Sequence, residues 1–206
     1  NYTFTEGWYL IRGSFSTNKN YIQGNVNLIL EDGCLWNVKR IKVTEGNSVT
    51  FWRQSAGTGK LVIDRDDSYP GIGAINENVG NITFNGGIVK TDGMPYAVAI
   101  GGQTTAAHTN TGGSPTHCGQ ITINGGTLNL SSGDEALAAI YAPGMTPTVN
   151  GGSIKGYGSE LILAGTTDGT PVTAIAGSSY SLRDVMTIGD KLYLPESVAS
   201  ALTSVT

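Results

Sequence analysis

"NITFNGGIVK" occupies residues 81–90, and variants of it return as "QITINGGTLN" at 120–129 and "TPTVNGGSIK" at 146–155. Apolar and polar residues alternate in the first two copies: Ile82 and Phe84 flank Thr83, and Ile121 and Ile123 flank Thr122. A period of two marks a strand with one buried face. The third copy keeps Thr148 and Val149 but has Pro147 where the others have Ile. Proline has no amide proton for a sheet ladder, so this copy is expected at an edge or only weakly paired. Each strand then meets Asn-Gly-Gly, beginning at Asn85, Asn124 and Asn150. Asn and Gly accept positive φ at least cost, which predicts a sharp bend with the asparagine taking part in it. An inward aliphatic follows in each copy: Val89, Leu128 and Ile154.

The spacing continues beyond the bend. Val89 to Ile100 is 11 residues and Leu128 to Ile140 is 12, and a degenerate copy, "SVTFWRQSAGTGKLVI" at 48–63, places Leu61 11 residues before Ile72. Short strands and glycine turns also suit an antiparallel sandwich. Hairpins have no need to repeat their sequence, however, whereas stacked coils occupy nearly equivalent environments and do. Phe51 to Phe84 is 33 residues, Phe84 to Ile123 is 39 and Ile123 to Val149 is 26. The surplus lies in polar stretches at 64–71 and 103–119 that read as corner insertions. A basic unit of about two dozen residues is the size of a parallel β-helix coil. The expected fold is therefore all-β, a right-handed parallel β-helix. Residues 1–24 are expected as an N-terminal strand or cap, 25–165 as the coils, and 166–206 as a C-terminal cap or the start of another module. In "NVNLILEDGCLWNVKRIKV" at 25–43, Val26, Leu28, Leu30, Leu35, Ile41 and Val43 are expected inward, with a turn at Glu31-Asp32-Gly33.

Composition narrows the class of partner. Glycine supplies 30 of 206 residues without the every-third spacing of collagen, so it punctuates turns. The net charge is −4 and the 12 Lys and Arg form no run. Nucleic acid and anionic membrane surfaces both call for concentrated positive charge, so neither is an expected partner. No apolar stretch nears the roughly 20 residues that span a bilayer. The opening "NYTFTEGWYL" lacks Met and a signal-peptide core, which suggests a mature protein or an excised segment.

The order "GWYLIRG", "VNLILEDG", "GNSVTFWRQSAGTGKLVI", "GIG" and "GNITFNGGIVKTDG" resembles a repeat type of large secreted or surface-exposed proteins from gut-type bacteria. The resemblance covers roughly residues 7–158. It implies a parallel β-helix in an extracellular or cell-surface protein of adhesin-like role, and it brings no catalytic residue set. The sequence departs from that pattern at "GIGAI" (71–75), "AIGGQ" (99–103) and Pro147.

"RIK" at 40–42 resembles the substrate-binding Arg and Lys of polygalacturonase-like enzymes but stands without paired aspartates or a histidine to supply acid and base, so a strand with Ile41 inward and two solvated cations is expected. Asp64, Asp66 and Asp67 crowd one corner, yet no calcium-loop signature accompanies them, and Asp134 with Glu135 reads as another charged corner. His108, His117 and Cys118 could offer three metal ligands, but at no standard spacing, and no metal or other cofactor is expected. Cys34 and Cys118 belong to coils roughly three layers apart, too far for a bridge unless an insertion folds back.

Two surface arrays remain. Thr83, Thr122 and Thr148 should align outward, like an ice-binding face, but the array is short and only the last copy reads Thr-x-Thr, so β-propensity accounts for it better. Trp36, Trp52, Tyr69, Tyr96, Tyr141 and Tyr157 are candidate exposed aromatics, and Trp52, Tyr96 and Tyr141 are the candidates for contact with glycans. Asn85, Asn124 and Asn150 are expected above one another, their amides bonded along a ladder. The functional expectation is a non-enzymatic structural or adhesive module, partnered by copies of itself in end-to-end contacts or by cell-surface glycans. A carbohydrate-binding module is the alternative, and a polysaccharide lyase or hydrolase a more distant one.

Overall fold

In a computed structural model of the chain, residues 1–64, 69–92, 97–103, 117–131, 139–157, 162–164, 186–188, 191–193 and 202–205 are described. Among them there is no helix. The strands are β1 (Tyr2–Phe4), β2 (Gly7–Ile11), β3 (Ser14–Ile22), β4 (Asn25–Leu30), β5 (Leu35–Lys42), β6 (Ser48–Arg53), β7 (Lys60–Asp64), β8 (Ile72–Ile75) and β9 (Asn81–Asp92). Then follow β10 (Ile100–Gln103), β11 (Ile121–Ser131), β12 (Ile140–Ala142), β13 (Thr148–Val149), β14 (Ser153–Tyr157) and β15 (Ile162–Ala164). Last come β16 (Met186–Ile188), β17 (Lys191–Tyr193) and β18 (Leu202–Val205).

All but β16 and β17 join one long sheet in which neighbouring named strands run parallel. Its pairing falls into three ladders. The first runs through β2, β4, β6, the front of β9, the front of β11, and β13. The second runs through β3, β5, β7, the back of β9, the back of β11, and β14. The third runs through β1, the ends of β3 and β5, then β8, β10, β12 and β15. Successive segments visit the ladders in the same order, an arrangement consistent with a parallel solenoid. β18 adds to the first ladder beyond β2, with Leu202 opposite Trp8 and Val205 opposite Ile11. β16 and β17 form a separate antiparallel pair.

The inward columns follow the alternation. Tyr9, Leu28, Phe51, Phe84 and Ile123 are register partners and all are buried. Trp36, Leu61, Val89, Leu128 and Ile154 make a second column, and Ile41, Ile72, Ile100 and Ile140 a third. The Phe51 and Phe84 rings stack at 5.1 Å with 8° between their planes. Burying each such side chain contributes about 1.5–3 kcal/mol, so repetition of a modest unit stabilises the whole.

Two expectations are corrected. Leu35 was expected inward and Trp36 exposed, but Trp36 is fully buried and Leu35 half-buried. Alternation in β5 runs through Trp36 and Val38, and the indole's Nε1 is satisfied by donating to Thr17 Oγ1 at 3.0 Å. The Asn-Gly-Gly bend is also not taken by asparagine. Among the described residues the one non-glycine with positive φ is Asn76, while Gly87, Gly126 and Gly152 lie at +87°, +102° and +96°. β9 and β11 remain paired strands through the bend, with register shifts at Gly125. A Cβ on Gly126 would sit 2.8 Å from the Gly87 carbonyl oxygen, and one on Gly152 would sit 2.9 Å from that of Gly126. Backbone stacks on backbone here, and only glycine leaves room.

Candidate functional site

The bend places three asparagine side chains in line. Asn124 Nδ2 donates to Asn85 Oδ1 at 2.8 Å, and Asn150 Nδ2 donates to Asn124 Oδ1 at 2.7 Å. Asn85 is buried, Asn124 half-buried and Asn150 exposed, so the ladder climbs out of the protein toward the last coil. Beside it runs the threonine array, with Thr50, Thr83, Thr122 and Thr148 in register. Its flank is also occupied: Asn81 Oδ1 accepts from the Gln120 amide at 2.8 Å, and Gln120 Nε2 donates to Thr148 Oγ1 at 3.1 Å. These polar groups bond to each other across coils.

The glycan candidates do not converge. Trp52 stacks on Trp8 with centroids 5.6 Å apart and 30° between planes, and its Nε1 donates to Asn27 Oδ1 at 3.0 Å. Tyr141 lies on the third ladder, opposite Gly101, and burial pushes its phenol pKa up. Tyr96 lies outside the described residues, as do His108, Asp66, Asp67, Asp134 and Glu135. Trp8 was not among the sequence candidates. Its signal was available, since Trp8, Leu10, Ile29 and Trp52 occupy outward positions of the first ladder, yet Leu10 and Ile29 are almost fully covered.

The remaining candidates resolve into structure. Asp32, in the turn before β5, accepts from the amides of Ala56 and Thr58 at 3.0 and 3.2 Å, pinning "QSAGTGKL" to the coil below. Cys34 and Cys118 are free and buried, and desolvation pushes their thiols up to about 11 and about 12 respectively. A thiol so far from ionisation is a poor nucleophile. Among the described residues no group of three or more His, Cys, Asp or Glu is placed to hold a metal ion. Ile41 points inward, and Arg40 and Lys42 flank it half-buried. Lys42 Nζ meets Glu77 Oε1 at 2.6 Å, while the Tyr69 ring lies 4.0 Å from Arg40 Cζ.

No protein-family model, curated protein sequence or solved structure matches the chain.

Proposed function

We propose that the chain is a right-handed parallel β-helix module of an exported bacterial surface or secreted protein, serving as a stiff structural or adhesive element without catalysis of its own. The observation that carries this reading is the amide ladder Asn85–Asn124–Asn150, laid along a continuous parallel sheet. Side chains that a catalytic site would hold in reserve are spent instead on joining one coil to the next. The resemblance of "GNSVTFWRQSAGTGKLVI" and "ITFNGG" to repeats of bacterial surface proteins supports the exported setting. Asn150 ends the ladder exposed, and a further coil or a second copy stacked end to end would extend it.

Incubation with a panel of acidic and neutral polysaccharides tests the absence of catalysis. New reducing ends or an unsaturated-uronide absorbance would refute it. Small-angle scattering tests the shape, and a profile other than that of a short rod would count against the β-helix.

A second reading, a carbohydrate-binding module, is favoured by one observation. The stacked Trp8–Trp52 pair sits on the outward side of the first ladder, and aromatic bodies with a polar tip suit sugar rings. Unchanged glycan binding after Trp52→Ala and Tyr141→Ala would remove it.

A further inference from the structure

We infer that Asn150-Gly151 is a self-modification site, at which the chain converts its own asparagine to aspartate and isoaspartate with loss of ammonia. The inference needs no ligand, and it stands whether or not the module is structural.

Asparagine is a thermolabile residue, and asparagine followed by glycine carries both reactants side by side. The amide nitrogen of the glycine can reach the side-chain carbonyl carbon and close a five-membered ring. Glycine has no Cβ to hinder that approach. The chain has three such pairs, Asn85-Gly86, Asn124-Gly125 and Asn150-Gly151, and a second glycine follows each of them. Local sequence makes the three nearly equal in reactivity, so any difference between them comes from the fold.

The fold treats them unequally. Asn85 and Asn124 lie inside the long strands β9 and β11, which stay paired with each other through the bend. Asn150 lies between β13, which ends at Val149, and β14, which begins at Ser153, so no strand holds its backbone. β13 itself is two residues long and follows Pro147, which has no amide proton to bond. Restraint on the side chains falls in the same order. Asn85 is buried, and Asn124 is held at both ends of its amide by its neighbours in the ladder. Asn150 is exposed, and among the described residues its side chain is held by one bond, from Nδ2 to Asn124 Oδ1. The attacking nitrogen is also loosely held. Gly151 N–H reaches the Ile123 carbonyl at 3.4 Å, an acceptor already taken by the Asn150 amide at 2.8 Å. Gly86, Gly125 and Gly151 are all covered, so the contrast rests on the asparagine and on the strand that does or does not fix it.

Water is the only co-reactant. The Gly151 nitrogen attacks Asn150 Cγ and gives up its proton to water. The Cγ–Nδ2 bond then breaks, and Nδ2 leaves as ammonia after taking up a proton. A second step opens the cyclic imide by addition of water. Cleavage between Cγ and the Gly151 nitrogen leaves aspartate in an ordinary backbone. Cleavage between the Asn150 main-chain carbonyl carbon and that nitrogen leaves isoaspartate, with the main chain rerouted through Cγ. Once ionised, neither product can donate to Asn124 Oδ1 as the amide does. Each adds a negative charge at the exposed end of the ladder, so the modification loosens the join between the last coil and the one before it.

The test is peptide mapping by mass spectrometry after incubation of the whole chain in mildly alkaline buffer, kept dilute so that copies do not stack over Asn150. In the folded chain Asn150 is expected to convert first, to both aspartate and isoaspartate. Asn124 and Asn85 are expected to convert at least about tenfold more slowly, because each must first give up ladder bonds and strand pairing. In urea, with the fold removed, the three pairs are expected to react at similar rates. Asn150→Gln, whose longer side chain disfavours the five-membered closure, is expected to abolish the early release of ammonia. Equal conversion of the three pairs in the folded chain, or earlier conversion of Asn85 or Asn124, would overturn the proposal. So would an Asn150 that stays intact in the folded chain while the urea-treated chain converts, or early ammonia release that persists in Asn150→Gln. Aspartate without isoaspartate would mean direct hydrolysis of the side chain and would overturn the ring-closing step.

Discussion

Replacing Asn124 tests the amide ladder at its centre, where the residue both donates to Asn85 and accepts from Asn150. The two lost bonds differ in consequence. Asn85 is 4% exposed, so Asn124→Ala strands its Oδ1 where water has little access. An unsatisfied buried acceptor costs about 1–3 kcal/mol, whereas a bond lost by the exposed Asn150 is largely replaced by water. The expected loss is about 2 kcal/mol, or roughly 4–8 °C in melting temperature for a chain of this size. Asn150→Ala should cost about 0.5 kcal/mol, because only the half-buried Asn124 loses a donor. Asn124→Asp sharpens the test. A carboxylate there cannot donate and would face Asn85 Oδ1 across 2.8 Å, so the neutral acid, which can donate, is favoured in the fold. Its folded pKa is thus raised above the unfolded value of about 3.9, and stability present below that pH is lost as pH rises through the folded value. Thermal melts of the three variants, with Asn124→Asp measured from pH 3 to 7, read all of this out. Equal melting of Asn124→Ala and wild type, or an Asn124→Asp chain whose stability does not fall across that range, would refute the ladder.

Gly126→Ala should cost at least ~3 kcal/mol, combining a positive φ with a Cβ 2.8 Å from the Gly87 carbonyl, while Gly33→Ala, at φ +80° in open space, should cost only ~1 kcal/mol. Chemical denaturation compares the two, and equal losses would contradict backbone stacking. Cys34 and Cys118, with thiols pushed up to about 11 and about 12, should resist a thiol reagent at pH 8 in the native chain and both react once it is unfolded. Rapid native labelling of either would show that its coil opens. Leu10 and Ser204 are register partners across β2 and β18, so a Leu10→Cys, Ser204→Cys chain should oxidise to a disulfide under mild conditions. Mixing the two single variants then tests end-to-end assembly: a crosslinked heterodimer means that β18 is donated between copies, and its absence leaves the pairing within one chain.

The sequence carried the repeat well and the corners poorly, for a physical reason. Inward positions such as Ile82, Phe84, Ile121, Ile123 and Leu128 announce themselves because both flanks are polar and the unit recurs. β5 has no such redundancy. Its "LWNVKRIK" keeps one alternation through Trp36 and Val38, then inserts the Lys39-Arg40 pair before Ile41 as the strand passes from the second ladder to the third. Starting the alternation at Leu35 instead of Trp36 inverts every side chain up to that corner, the usual penalty of a one-residue slip. The two adjacent charged residues were the sign of the corner.

The Asn-Gly-Gly motif divides its work between its two residue types. Asparagine and glycine are both tolerant of positive φ, so composition alone could not divide the work between them. The fold does divide it: the glycines bend and let backbones approach, while the asparagines keep ordinary backbone angles and bond their side chains along the stack. This division explains why the motif recurs with both residue types intact. A glycine in place of Asn85 would still bend but would break the ladder, and an asparagine in place of Gly126 would meet the carbonyl below.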